Sequence, residues 1–154
     1  MLDAPAGEIL PGMANSEENM AAVRAVFQTL EHGNVDALDT IVSPDYVLHD
    51  PSMPVQVRGV EGLKEMIEEY RNGFGLRVTI DHQFADSEFV ATRYTARGRH
   101  DTEFMGIPPT GREGTATGIC ISRCRDGRIV EEWEVWDTLG LLQQIGAVPE
   151  PAAS

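Results

Sequence analysis

Three side chains in this sequence have the chemical type and setting to move a proton: Asp137, His49 and His100. Asp137 closes the run Trp133-Glu134-Val135-Trp136-Asp137. A carboxyl partly withdrawn from water beside Trp133 and Val135 has its pKa raised toward neutrality, as general acid–base catalysis requires. The same carboxylate can instead cap the helical segment that follows it, accepting from free N–H groups. His49 precedes Asp50-Pro51, and His100 opens a stretch holding Gly106, Pro108, Pro109 and Gly111. Either imidazole can share a proton with a substrate oxygen. Either can equally be a solvent-facing residue at a strand edge or in a loop. His32 reads as the cationic end of a helix, and His82 has no visible partner.

Other chemistries lack their signatures. There is no Walker loop, no dinucleotide fingerprint, no Gly-x-Ser-x-Gly, no Cys-x-x-Cys and no His-Glu-x-x-His. The two cysteines, Cys120 and Cys124, lie four apart in a predicted strand, roughly 13 Å at ~3.3 Å per residue. That is too far for a mutual disulfide. With no further ligand nearby they read as small core residues rather than a metal site. The expectation is a protein without metal or cofactor that does proton-transfer chemistry or binds a small ligand.

The elements that must position these groups follow from periodicity. Ser16 is placed to cap a first helix whose inner face is Val23, Val26, Phe27 and Leu30, ending at His32-Gly33. A short helix over 35–41 is broken by Pro44, a short strand covers 46–49, and a third helix covers 59–71. From Leu76 the period becomes 2, predicting strands at 76–84 and 89–97. After the loop 100–112 come strands at 114–125 and 128–138, and a last helix at 139–145. Helices followed by a strand meander predict an α+β fold. Residues 1–14 and 147–154 read as a loose arm and a tail around one domain, 15–146.

The turn Asp126-Gly127 is a strong hairpin signal and sets an expected register. Regular pairing outward from Arg125 and Arg128 puts Cys120 opposite Trp133, Gly118 opposite Val135 and Ala116 opposite Asp137 on one inner face. Small residues facing large ones would leave a cavity with a carboxylate at its end. The other face would carry Ile119, Ile121, Glu132, Glu134 and Trp136, suited to an outer surface or a homodimer contact.

The 154 residues, 42% hydrophobic, suffice for one buried core. The net charge of −13 repels phosphate backbones and anionic lipid surfaces, so neither nucleic acid nor membrane is an expected partner. No apolar run reaches the ~18 residues of a membrane span, and the first 13 residues lack the pattern of a secretion signal. A cytoplasmic protein is the expectation.

Several stretches resemble the SnoaL-like polyketide cyclase and ester cyclase family of the nuclear-transport-factor-2-like superfamily. They are Tyr46-Val47-Leu48-His49-Asp50-Pro51, Gly59-Val60-Glu61-Gly62-Leu63 and Gly98-Arg99-His100. Further along come Phe-Met-Gly-Ile-Pro-Pro-Thr-Gly-Arg over 104–112, Asp-Gly-Arg-Ile-Val-Glu-Glu-Trp over 126–133, Asp137, and Leu-Leu-Gln-Gln-Ile-Gly over 141–146. The resemblance spans about residues 16–146. It implies a cone-shaped barrel of strongly bent, mainly antiparallel sheet, closed by three N-terminal helices over a deep apolar pocket. It also implies a homodimer or homotetramer built through the outer sheet face. The implied activity is cofactor-independent aldol ring closure of an aromatic polyketide ester, with Asp137 as acid/base. His49 and His100 would lie near the pocket, and Trp133, Tyr46 and Phe104 are candidate walls for a polycyclic substrate. Gly118, Cys120 and Val135 would line it. Hydrolysis, dehydration or hydroxylation in the same pocket, and ligand binding without catalysis, stay open as alternatives.

Overall fold

The computed structural model describes residues 11–152, with side chains from Asn15 onward. Helix α1, Pro11–His32, begins earlier than the Ser16 cap predicts, with proline at its first position where a missing N–H costs nothing. It thus takes in residues 11–14 of the expected arm; the remainder of that arm lies outside the described residues. Gly33, at φ +78°, ends α1 in the left-handed conformation, its N–H bonded to the Thr29 carbonyl at 2.9 Å. A single 3-10 turn, Val35–Ala37, runs into the one-turn helix α2, Leu38–Ile41.

Strand β1, Val42–His49, is longer than expected and contains Pro44. Its parallel pairing with the last strand jumps from Val42 to Val47. Pro44 therefore sits where no ladder hydrogen bond is required of it. After the two-residue β2, Val57–Arg58, come α3, Gly59–Phe74, β3, Arg77–Asp86, and β4, Phe89–Arg99. The chain continues with β5, Glu113–Arg125, β6, Arg128–Trp136, and α4, Thr138–Gln144. The tail turns back on α4, the Ala147 N–H bonding the Leu142 carbonyl at 2.8 Å.

The six strands form one sheet in the order β2-β1-β6-β5-β4-β3, antiparallel except between β1 and β6. The fold is α+β, as expected. The sheet is open, however, with β2 and β3 as edges, so the expected barrel closure does not occur. Nor do three N-terminal helices alone cover it: α4, after the last strand, seals one end by packing Leu141 against bare Gly114, where a Cβ would stand 2.4 Å from Leu141 Cδ1. Two apolar clusters fill the covered face. The larger includes Val23, Phe27, Leu38, Leu63, Ile67, Val90 and Ile129, and the smaller Phe74, Phe104, Ala116, Leu141 and Ile145. Trp136 packs against both.

The hairpin turn is as predicted, Asp126 and Gly127 both having positive φ. Arg125 faces Arg128 and Cys124 faces Ile129. One step further the register shifts: Arg123 faces Glu131, leaving Val130 as the extra residue of a β-bulge. Beyond it every side chain of β6 lies on the face opposite to the expected one. Cys120 faces Glu134, Ile119 faces Val135 and Gly118 faces Trp136.

Candidate active site

The bulge turns Glu132, Glu134 and Trp136 inward. Glu132 is buried and accepts hydrogen bonds from the Tyr46 and Ser122 hydroxyls. Its pKa is raised by burial, against the opposing pull of those donors. Glu134, two residues on, accepts at Oε1 from the Tyr94 hydroxyl. Burial, with Glu132 and Asp50 as like-charged neighbours, lifts its pKa to about 7, while the Tyr94 bond pulls the other way. Trp136 is fixed by its indole N–H, which donates to Asp50 Oδ2 at 3.1 Å. Asp50 is held in turn by the Ser52 N–H and hydroxyl on its other oxygen, at 2.8 and 2.7 Å.

Glu134 forms part of the wall of a narrow cavity of about 70 Å³ between the sheet and helices α1, α3 and α4. Leu30, Met66, Phe74, Leu76, Ala96, Ala116, Trp136 and Leu141 make most of it apolar, and bare Gly98 and Gly114 add no side chains. The polar groups are Glu134 and two phenols, Tyr70 and Tyr94. Burial raises both phenol pKa values well above the ordinary range, so each is a neutral donor at any physiological pH. The wall thus offers a carboxyl that is half ionised near neutrality and Tyr70 as a nearby O–H. Among the described residues no group of three or more His, Cys, Asp or Glu side chains is arranged to hold a metal.

The expected site residues fall in different places. Asp137 is exposed at the N-cap of α4, its Oδ1 accepting from the Gly140 N–H at 2.8 Å. It does not line the cavity. Trp133 and Val135, expected inside, are 38% and 62% exposed on the outer face; the bulge is the cause. His49 is on that outer face too, stacked on Trp133 at 5.5 Å, with Nε2 on Glu131 and Nδ1 on Gln56, both at 2.9 Å. His100 is fully buried against Phe74, and its Nδ1 accepts from the Thr110 N–H at 3.3 Å, pinning the 100–112 loop. Tyr46 and Cys120 lie in the main core beside Glu132, and Phe104 packs behind the cavity on Tyr70 and Phe74. Gly118 does face inward, but the Tyr94 ring fills the space expected there.

The model of the SnoaL-like polyketide cyclase domain matches residues 20–145. The chain belongs to this family. Among SnoaL-like proteins, it is 24% identical over 131 residues to the aklanonic acid methyl ester cyclase AcmA of Streptomyces galilaeus, covering 84% of this chain and 91% of AcmA. IdmH of Streptomyces antibioticus, a proposed polyketide cyclase, superposes with a TM-score of 0.72 at 33% identity, over 83% of this chain and 98% of IdmH. AclR of Streptomyces galilaeus, a proposed hydroxylase, gives 0.76 at 25% identity, over 88% and 85%. The fold is therefore the nuclear-transport-factor-2-like one of SnoaL-like proteins.

Glu134 is the cavity carboxyl that the expected register puts on the outer face. A signal for it existed in the strand itself. Ile129 and Trp136 are the large apolar residues flanking the Glu-rich stretch, and they are seven apart. An odd separation cannot bury both on one face of a regular strand, so burying both demands one extra residue between them.

Proposed function

We propose that this SnoaL-like protein is a cofactor-independent cyclase of a polyketide ester, working by intramolecular aldol chemistry with Glu134 as the acid/base in place of Asp137. The observation that carries the reading is a single carboxyl, of pKa about 7, set in the wall of an otherwise apolar cavity. At neutral pH the ionised fraction of Glu134 takes a proton from the acidic carbon between a ketone and an ester. The enolate carbon then forms a bond to a carbonyl carbon of the same molecule, and the carbonyl π pair becomes an alkoxide. Glu134 returns its proton to that oxygen, so the product is an isomer of the substrate. The Tyr70 hydroxyl, whose partner in the fold is the weak acceptor Met53 Sδ at 3.8 Å, is free to turn to the enolate oxygen. Trp136, Phe74 and Leu76 line the apolar wall around the reacting carbons and exclude water. The cavity of about 70 Å³ is smaller than a polycyclic ester, so entry of the substrate requires it to widen.

The experiment uses aklanonic acid methyl ester, the substrate named for AcmA, within a panel of polycyclic esters followed by mass spectrometry. A new product of unchanged mass is expected. Gain of oxygen would instead align the protein with the activity named for AclR, and binding without conversion would make it a ligand carrier. Glu134→Gln, which keeps the shape and removes the base, should lower turnover about 100-fold or more. In the wild type, kcat/KM should rise as pH passes through about 7, where Glu134 ionises. Full turnover in Glu134→Gln would place the acid/base elsewhere.

A further inference from the structure

Tyr94 stands on β4 directly opposite Gly118 on β5, and Gly118 in turn stands opposite Trp136 on β6. The phenol ring does not rise straight from the sheet. It lies across Gly118, where a Cβ would come within 2.5 Å of both Cζ and the hydroxyl oxygen. No real side chain tolerates such an approach, so the absence of one at 118 lets the ring cross β5. Having crossed, its hydroxyl bonds Oε1 of Glu134 on β6. The ring is 7% exposed and packs against Phe27 at a centroid distance of 5.1 Å. Oε2 of Glu134 has no hydrogen-bond donor among the described residues.

We infer that Tyr94 is the positioning residue of the acid/base: lying over the bare Gly118, it fixes Oε1 of Glu134 and leaves Oε2 as the oxygen that exchanges the proton. The inference rests on the reading of Glu134 given above and adds a division of labour between its two oxygens. A rigid carboxylate with one oxygen committed presents the other in one orientation, lowering the cost of reaching a productive geometry. The bond also stabilises the charged form, offsetting part of the effect of burial. Tyr94 thereby holds the carboxyl near neutrality rather than above it, where too little base would be present. Tyr70 shares the cavity but bonds Met53 instead, which makes it the natural control.

The test needs no substrate. Protein carrying ¹³C at the glutamate side-chain carboxyl is titrated by NMR from acid to alkaline pH, and the Glu134 signal is assigned by its loss in Glu134→Gln. The wild-type midpoint is expected near 7. In Tyr94→Phe it should move up by about one unit or more, the size of losing one hydrogen bond to a charged group. Gly118→Ala, which pushes the ring off its path, should move it in the same direction, and Tyr70→Phe should leave it in place. A midpoint in Tyr94→Phe that coincides with the wild type, in protein with native circular dichroism, overturns the inference alone. A wild-type midpoint in the ordinary carboxylate range overturns the reading of Glu134 itself.

Discussion

Glu132 and Glu134 share a face of one strand, the first buried and the second half-buried, and their surroundings suit them to different tasks. Glu132 is held by Tyr46 and Ser122 inside the main core. Glu134 has one donor and looks into the cavity. Asp137 is the opposite case: exposed, outside the cavity and occupied as a cap. Asp137→Asn should leave stability in urea within about 1 kcal/mol of wild type, because Asn and Asp cap alike. Asp137→Ala should cost about 1 kcal/mol, and neither should alter turnover more than a few-fold. A large loss of turnover in Asp137→Asn at unchanged stability would return the acid/base role to Asp137. The Trp-Glu-Val-Trp-Asp run did direct attention to the strand that carries the cavity carboxyl, since an acid among large apolar groups is where carboxyl pKa values move. Which acid faces the cavity depends on the parity of the strand, and one unpaired residue reverses parity.

That residue, Val130, belongs to the scale of the element. The turn at Asp126-Gly127 was legible because both positions need positive φ, which that dipeptide supplies. The helices were legible from their apolar faces, and the α3 and β4 starts fall where periodicity put them. The bulge was not, since no Gly or Pro stands at 130 to mark it, and the odd spacing of Ile129 and Trp136 reveals it only once both are known to be buried. Its cause is non-local. Only with Val130 looped out do Ile129 and Trp136 both reach the covered face, while Trp133 and Val135 meet Ile121 and Ile119 outside. Deleting Val130 should therefore force a choice. The regular register would bury Glu131, Trp133 and Val135 and expel Glu132, Glu134 and Trp136. We expect the deletion variant to be largely unfolded, with a loss of stability well above the 0.5–3 kcal/mol of ordinary substitutions. A cooperative native-like unfolding curve would show that the bulge is dispensable.

At the scale of the whole molecule, the same bulge assembles an apolar patch on the outer face. Ile119 and Ile121 are 49% and 41% exposed, and they stand directly opposite Val135 and Trp133. Four large apolar side chains on two adjacent strands make a contiguous surface of the kind that marks an interaction site. Two copies related by a two-fold axis can cover the patch with the same residues from each side. We propose that the protein is a homodimer through this face, with Trp133 as an anchor. Trp136, expected on that face, is inside and bonded to Asp50, so Trp136→Glu would disrupt folding rather than association. Trp133→Glu is the informative change: it sets a carboxylate at the centre of the patch, in each copy, across a desolvated interface. Light scattering should show a dimer for the wild type and a monomer for Trp133→Glu, with unchanged circular dichroism. Each chain carries a net charge of −13, so association works against mutual repulsion. Added salt screens that repulsion within about 10 Å at 0.1 M, and the wild-type dimer should tighten as salt rises. A wild type that stays monomeric at high micromolar concentration in 0.5 M salt would remove the dimer, and leave the patch in need of a different partner.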